Sequence, residues 1–210
     1  MALTPDVTAG TIVQSTWGNQ IRDRTVQVFA TVAERNTWAA PPAGAHCVTL
    51  DTLTRWIYTG TAWRSLSAPP RARVTRTGTL SIPSGAALVI PWGIERTNIG
   101  GVFAAGANTR LTVPPGEGGW WSVGASLEFA TGGGGARGLI IRTGTGVEIV
   151  RAMQQAPTAV NIRASLTAHT EWEAAAGDYF ECFAYHDVGS AQTLAKSDAW
   201  SPEFWASRSA

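Results

Sequence analysis

The sequence has little cysteine and little charge, and both shortages exclude classes of protein. Its 210 residues include two cysteines, Cys47 and Cys182, which lie far apart in the chain. Two isolated cysteines form neither a disulfide framework nor the cysteine cluster of a zinc domain, so we expect two buried free thiols. Charged residues make up 15% of the chain and the net charge is +1, so no overall field attracts DNA or an anionic membrane.

Long apolar runs are missing as well. No run approaches the length needed to cross a membrane, and the first six residues lack the basic start and apolar core of a secretory signal. We therefore expect a soluble protein that is synthesised in a cytoplasm and neither binds nucleic acid nor inserts into a membrane.

What the sequence does contain is typical of a mainly β protein. Its 23 glycines and 11 prolines separate short apolar runs, and a hydrophobic content of 44% is enough to build a core. The pattern changes at about residue 70, which predicts two parts joined by a linker over residues 67–74.

The first part, residues 1–66, begins with a predicted amphipathic helix. Apolar residues between positions 11 and 29 partly follow the helical period. An isolated helix of this length is marginal in water, so its apolar face needs a partner. That partner is its own domain, symmetry mates or a larger assembly. The apolar face begins with Ile12, Val13, Trp17 and Ile21.

A second helix and a β-hairpin are predicted to follow. Thr31 and Glu34 match the capping-box pattern, which predicts a short helix that ends near Trp38. Residues 45–50 and 55–58 predict two short strands. A hairpin this small is marginal alone, and three tryptophans are expected to form its core. They are Trp38, Trp56 and Trp63.

This first part resembles a small module that is frequent in bacteriophage tail and fibre proteins. The resemblance depends on the order of short motifs rather than on any one of them. They are Val32-Ala33-Glu34-Arg35, a Pro-Gly turn, Cys47-Val48-Thr49, Asp51-Thr52, Trp56-Ile57-Tyr58, Gly60 and Ala62-Trp63. The resemblance implies attachment to other virion proteins through the N-terminal residues Ile12, Val13, Trp17 and Ile21, and a distal domain that follows.

The second part, residues 75–210, predicts an antiparallel jelly-roll sandwich. Residues 121–129 alternate well, with Val123, Ala125, Leu127 and Phe129 on one face. Residues 139–142 and 147–150 predict a hairpin around a Thr-Gly-Thr-Gly turn. Further alternation follows at residues 160–168, and the number and spacing of strands indicate two packed sheets.

The strand at residues 179–186 is apolar on both faces. Tyr179, Phe183 and Tyr185 share one face, while Phe180, Cys182 and Ala184 share the other. An antiparallel strand usually shows water one polar face. We therefore expect a second sheet to cover one face and a neighbouring subunit to cover the other.

This second part resembles the TNF-like jelly rolls, which include the globular heads of the complement and collagen-associated family. The similarity covers residues 75–206 and departs at Trp120-Trp121, where those families carry tyrosine. It implies a compact homotrimer with an aromatic interface, to which we assign Tyr179, Phe183 and Tyr185. The motifs are Phe103, Arg110-Leu111-Thr112-Val113-Pro114, Gly119-Trp120-Trp121 and Gly177-Asp178-Tyr179.

Catalytic and metal-binding patterns are weak. Glu171 and Glu173 share a strand face, where paired carboxylates could hydrolyse a glycan, but such residues are more often solvated. The three histidines, His46, His169 and His186, lie too far apart in sequence for a zinc motif. No catalytic residue, cofactor or metal site is predicted.

The remaining unusual residues have structural explanations. Ten tryptophans could offer a glycan-binding surface, but Trp92, Trp121 and Trp172 adjoin strand patterns and are predicted to pack in the core. The arginines near residue 70, which are Arg71, Arg73 and Arg76, are predicted to form a solvated basic face.

The sequence therefore predicts a non-enzymatic structural protein of a virion, a minor tail or fibre protein made in the host cytoplasm. Its head would be trimeric and would contact the host cell surface, with a surface glycan as candidate ligand. Two alternatives stay open. One is a ligand-free decoration or connector protein of the capsid or tail, and the other is a small cell-wall glycan hydrolase that uses Glu171 and Glu173.

Overall fold

The chain divides into two compact units, residues 1–68 and residues 69–210. A computed structural model describes residues 26–66, 68–130, 134–156, 163–195 and 202–209 of the chain. The proposed attachment residues of the first helix, which are Ile12, Val13, Trp17 and Ile21, lie outside the described residues.

Unit 1 is a four-stranded sheet with one short helix. Its elements are β1 (Gln27–Phe29), α1 (Val32–Asn36), β2 (His46–Thr49), β3 (Thr54–Tyr58) and β4 (Trp63–Ser65). The strand order is β1-β2-β3-β4, in which β1 pairs with β2 in parallel and the other pairs are antiparallel. The predicted hairpin is therefore present and gains a strand on each side.

The predicted first helix does not reach Phe29, and that part of the prediction is wrong. Val28 and Phe29 belong to β1, where Val28 pairs with Val48 and Phe29 pairs with Thr49. The carbonyl of Phe29 also accepts a hydrogen bond of 2.9 Å from the N–H of Leu50. These partners lie about twenty residues away in the chain, so the periodicity of neighbouring residues could not predict this strand.

One half of the predicted capping box, the bond to the Thr31 hydroxyl, forms at the start of α1. The Thr31 hydroxyl accepts the N–H of Glu34 at 3.1 Å, and the Glu34 carboxylate accepts the N–H of Ala30 at 2.7 Å. The first bond satisfies an N–H group that a helix start leaves without a partner, whereas the second reaches the residue before the N-cap instead of the N-cap N–H. The helix ends two residues earlier than predicted, at Asn36.

The aromatic core of unit 1 is built around a buried arginine. Trp38 lies between Phe29 and Trp63, with ring centroids 5.8 and 5.6 Å away. Arg35 is 6% exposed, and its guanidinium lies 4.0 Å from the ring centre of Trp56. The predicted tryptophans therefore meet, and burial lowers the pKa of the guanidinium that lies against them.

Unit 2 is a sandwich of two antiparallel sheets. The first, here called the β10 sheet, has the order β6-β15-β10-β16-β5-β8, with β13 also paired to β10. The second, the β14 sheet, has the order β12-β11-β14-β7, with β9 also paired to β14. The strands are β5 (Arg71–Thr75), β6 (Leu80–Ile82), β7 (Leu88–Val89), β8 (Ile94–Ile99), β9 (Arg110–Thr112), β10 (Gly119–Phe129), β11 (Ala136–Thr143), β12 (Glu148–Gln155), β13 (Ala164–Ala174), β14 (Tyr179–His186), β15 (Gln192–Leu194) and β16 (Glu203–Arg208).

The core lies between these two sheets and confirms the predicted alternation. The inward residues of β10 are Val123, Ala125, Leu127 and Phe129, none of which is more than 1% exposed. Across the core, β14 contributes Phe180, Cys182 and Ala184, which are equally buried. Each large apolar side chain buried in this way stabilises the fold by about 1.5–3 kcal/mol.

Two predictions at the boundary between the units need correction. Residues 71–74, predicted as part of the linker, form most of β5, which pairs with both β16 and β8. Arg76, predicted to be solvated, instead donates to the carbonyls of Pro91 and Gly78. Burial lowers the pKa of Arg76, while Arg71 and Arg73 are exposed as predicted.

Candidate functional surfaces

The predicted aromatic face lies on the outward side of the β14 sheet. Tyr179, Phe183 and Tyr185 alternate along β14 with fully buried residues, and all three are half-buried. Glu181 shares this side of the strand, which adds a carboxylate that the sequence reasoning did not include. The three rings are therefore together on one surface, here called the aromatic face.

Arginines of the same chain cover part of the aromatic face. The guanidinium of Arg142 lies 4.9 Å from the ring centre of Phe183, and that of Arg110 lies 4.6 Å from the ring centre of Tyr179. Such cation–π contacts contribute about 0.5–1 kcal/mol each at exposed sites. The chain itself thus supplies some of the cover that the sequence argument assigned wholly to a neighbouring subunit.

Aliphatic residues extend the aromatic face across neighbouring strands. Phe183 pairs with Ile140 on β11 and with Val89 on β7, so the three side chains point to the same side. Gly138 on β11 lies between Tyr185 and Met153, and a Cβ there would be 2.6 Å from the Met153 sulfur. Met153 is 46% exposed, so this end of the face remains open to a partner.

A second outward surface surrounds Trp205 on the β10 sheet. The indole lies flat over Gly124, where a Cβ would be 2.4 Å from a ring carbon. Beside it, Arg73 binds Glu203 through two hydrogen bonds of 2.5 and 2.9 Å, and this bonding raises the pKa of Arg73. An open groove of about 410 Å³, here called the Trp205 groove, is lined by Arg71, Ala72, Arg73, Thr97, Glu203, Trp205, Ala206 and Ser207.

A third concave surface, here called the turn pocket, lies at one end of the sandwich. It has a volume of about 400 Å³ and joins the β11–β12 turn to the β13–β14 turn. Aromatic rings, hydroxyls and carboxylates all contribute to its wall, and the sequence reasoning missed it. It is lined by Thr143, Gly144, Thr145, Val147, Trp172, Glu173, Gly177, Asp178 and Tyr179.

The structure separates the two carboxylates that were considered for hydrolysis. Glu171 and Glu173 both point outward from β13 and are exposed. Glu173 lines the turn pocket, whereas Glu171 is not among its lining residues. Trp172 points to the opposite side, where it packs against the core as predicted. A glycosidase needs two carboxylates on one cleft, and of these two only Glu173 lines the turn pocket.

The histidines and cysteines form no metal centre in the parts of the chain that the structure describes. His46 and His169 are exposed, and the His169 ring lies 2.8 Å from the Ser122 hydroxyl. His186 is fully buried, with its Nε2 atom 2.8 Å from the carbonyl of Ile82. Both cysteines are free and buried, as predicted. They are Cys47 and Cys182, and burial raises the pKa of each thiol.

None of the described helices is long and apolar enough to cross a membrane. The sequence matches no protein-family model. A comparison with curated proteins also finds no similar sequence.

Solved structures with the same fold do exist. The structure of Eiger TNF from S. frugiperda matches with a TM-score of 0.50 over 68% of this chain and 94% of that chain, at 9% sequence identity. Murine APRIL at pH 5.0 matches with a TM-score of 0.53 over 67% of this chain and 99% of that chain, at 10% identity. Identities this low show a shared fold alone, and they confirm the predicted mainly β, TNF-like jelly roll.

Proposed function

We propose that this chain is a non-enzymatic structural protein of a tailed-bacteriophage virion, a minor tail or fibre protein. Its second unit would form a homotrimeric head that contacts the host cell surface. The motif order in unit 1 supports the virion assignment, and the TNF-like jelly roll of unit 2 supports a binding or structural head. Since a fold alone does not set a function, the proposal depends on the surfaces of unit 2.

The aromatic face carries the trimer part of the proposal. Tyr179, Phe183 and Tyr185 are held on a central strand of a packed sandwich, so their positions are fixed before any partner binds. Aromatic residues and methionine are enriched in the buried centres of protein interfaces, and Met153 lies on the same face. We propose that a neighbouring copy covers Phe183, Tyr185 and Met153 and reaches Tyr179 without closing the turn pocket that Tyr179 also lines.

Attachment to the particle is assigned to the N-terminal residues. The proposal is that Ile12, Val13, Trp17 and Ile21 contact other virion proteins. Labelling of purified virions with an antibody against unit 1 tests the location. Particles without label, from a host in which the chain is expressed, would contradict the virion assignment.

The solution mass of the full chain tests the trimer. We expect light scattering to give a trimer for the wild type and a monomer for Phe183→Asp, because the variant removes an apolar ring from the middle of the aromatic face and adds a carboxylate that the interface would have to desolvate, even beside Arg142. Trp205→Asp is the matched control, since it changes a half-buried outward aromatic residue of the other sheet. Circular dichroism must show that both variants keep their strands.

Each other outcome contradicts part of the proposal. A trimer that survives Phe183→Asp but dissociates with Trp205→Asp would move the interface to the β10 sheet. A monomeric wild type would remove the multivalent head. A trimer that binds no host cells would favour a ligand-free connector or decoration protein over a host-contacting head.

A further inference from the structure

We infer that the turn pocket binds a neutral hexopyranose, either free or at the end of a glycan. This inference rests on the proposed host contact and names the site and chemical class of that contact. The pocket volume of about 400 Å³ lies at the lower end of the roughly 300–1,000 Å³ range of small-molecule sites. That size suits one or two sugar rings rather than a protein segment.

The two turns that form the pocket are fixed by internal hydrogen bonds. In the β11–β12 turn, the N–H of Gly146 donates to Thr143 at 2.9 Å, and Gly146 has a φ of +84°. In the β13–β14 turn, the carboxylate of Asp178 accepts the N–H of Ala175 at 2.8 Å. A pocket with walls that are already ordered loses little conformational entropy when a ligand binds.

Tyr179 is locked in place as one wall of the pocket. A Cβ on Gly144 would lie 2.4 Å from the Tyr179 ring, so only glycine lets the ring pack there. The N–H of Gly144 donates to the carbonyl of Tyr179 at 2.8 Å, which ties the turn to β14. The guanidinium of Arg110 lies against the ring and holds it further.

Polar groups in the pocket have bonding capacity left for a ligand. Among the described residues, the Glu173 carboxylate and the Trp172 indole N–H have no hydrogen-bond partner. The Thr143 and Thr145 hydroxyls bond each other at 2.8 Å, and each oxygen can still accept a further bond. The pocket therefore offers carboxylate acceptors, an indole donor and hydroxyls beside an apolar ring surface.

A neutral sugar matches this set of groups. Neighbouring hydroxyls of a pyranose donate to a carboxylate, and the apolar C–H face of the ring packs on an aromatic side chain such as Trp172. Glu173 and Asp178 place negative charge at the pocket, so a uronic or sialic acid would be repelled. The inference therefore specifies a sugar without a carboxylate.

The test uses the full chain and simple sugars as probes. Nuclear magnetic resonance titrations would use the methyl glycosides of glucose, galactose and mannose, N-acetylglucosamine, and glucuronic acid as the charged mismatch. We expect at least one neutral probe to bind with a dissociation constant on the order of 1 mM, and glucuronic acid to bind at least about tenfold more weakly. Saturable binding that is stronger for glucuronic acid would overturn the inference, as would no binding by any probe.

Glu173→Gln identifies the site, and Glu171→Gln is the matched control. Both residues are exposed on the same side of β13, but only Glu173 lines the pocket. We expect about a fivefold loss of sugar affinity for Glu173→Gln and no change for Glu171→Gln. Equal effects would place the site elsewhere. If wild type and Glu173→Gln bind host cells equally, the pocket assignment fails while the host contact stands.

Discussion

Gly124→Ala is the change that tests most directly how the outward surface of the β10 sheet is built. Gly124 lies in the middle of β10, between Trp205 on β16 and His169 on β13. An added Cβ would lie 2.4 and 2.6 Å from two Trp205 ring carbons and 3.0 Å from the carbonyl of Ala168. The first two distances are impossible contacts, so the indole must move.

The expected cost follows from two opposing effects. Forcing an extra carbon into a packed position costs about 1–3 kcal/mol. Alanine also loses less conformational freedom than glycine on folding, and this difference stabilises a strand by about 0.5–1 kcal/mol. We therefore expect Gly124→Ala to destabilise unit 2 by up to about 2.5 kcal/mol.

A double-mutant cycle with Trp205→Ala separates the clash from other effects. Without the indole, only the 3.0 Å approach to Ala168 and the conformational gain of alanine remain, so removing the indole should lower the cost of Gly124→Ala by about 1–3 kcal/mol. Urea unfolding followed by circular dichroism gives the four free energies of unfolding. Gly106→Ala is the control, since a Cβ there meets nothing within 4 Å, so it should cost no stability and could add about 0.5–1 kcal/mol. If Gly124→Ala costs the same with and without the indole, Trp205 does not rest on Gly124 and the description of this surface is wrong.

Two further predictions concern titratable groups. Cys47 and Cys182 are buried, so a thiol reagent at pH 8 should label neither thiol in the folded chain within minutes and both after unfolding in urea; rapid labelling of the folded chain would contradict the packing around them. The N–H of Val32, which donates to the Asp51 carboxylate at 3.0 Å, is the main cause that lowers the pKa of Asp51. Because this pKa is lower in the folded state than in the unfolded state, the carboxylate stabilises unit 1 above about pH 4 and loses that effect as the pH falls through the folded value. Unfolding curves between pH 2 and 7 should show this loss for the wild type and a weaker pH dependence for Asp51→Asn; equal curves would show that the bond adds nothing to stability.

Local patterns in the sequence predicted those parts of the fold that depend on near neighbours. The alternation along β10 and the helix cap by the Thr31 hydroxyl are both contained within a few residues, and both are present in the structure. The hairpin of β11 and β12 is likewise set by its turn. These features need no knowledge of distant strands.

Parts of the fold that depend on distant partners were missed or misassigned. β5 follows two prolines and alternates arginine with small apolar residues, a pattern that predicts a linker. Only its pairing with β16 identifies it as a strand. Arg76 looks solvated in sequence, but carbonyls at Gly78 and Pro91 surround its guanidinium. An arginine that is buried against backbone carbonyls cannot be recognised from amino-acid composition or from hydrophobic periodicity.

The same distinction applies to the candidate sites. The side-chain direction along β14 could be predicted because it repeats every two residues. The turn pocket could not, because Thr145 and Glu173 are brought together only by the register of β11 against β14 and by the turn that joins β14 to β13. A Gly-Asp turn beside an aromatic strand was the one available signal for it.

The outward faces also show why an apolar strand face does not by itself demand a neighbouring subunit. Trp205 rests on Gly124, and Tyr179 rests on Gly144. In both cases a neighbouring glycine, on strand β10 for Trp205 and in the β11–β12 turn for Tyr179, lets a large side chain lie flat, which removes apolar area from water within one chain. A partner that docks on the aromatic face would therefore bury only the part of its rings that is still exposed to water. It would also have to accommodate Arg110 and Arg142. Since charged groups are costly to bury without partners, a stable interface on this face needs carboxylates near the guanidiniums, and Glu181 on the same side of β14 is positioned to supply one.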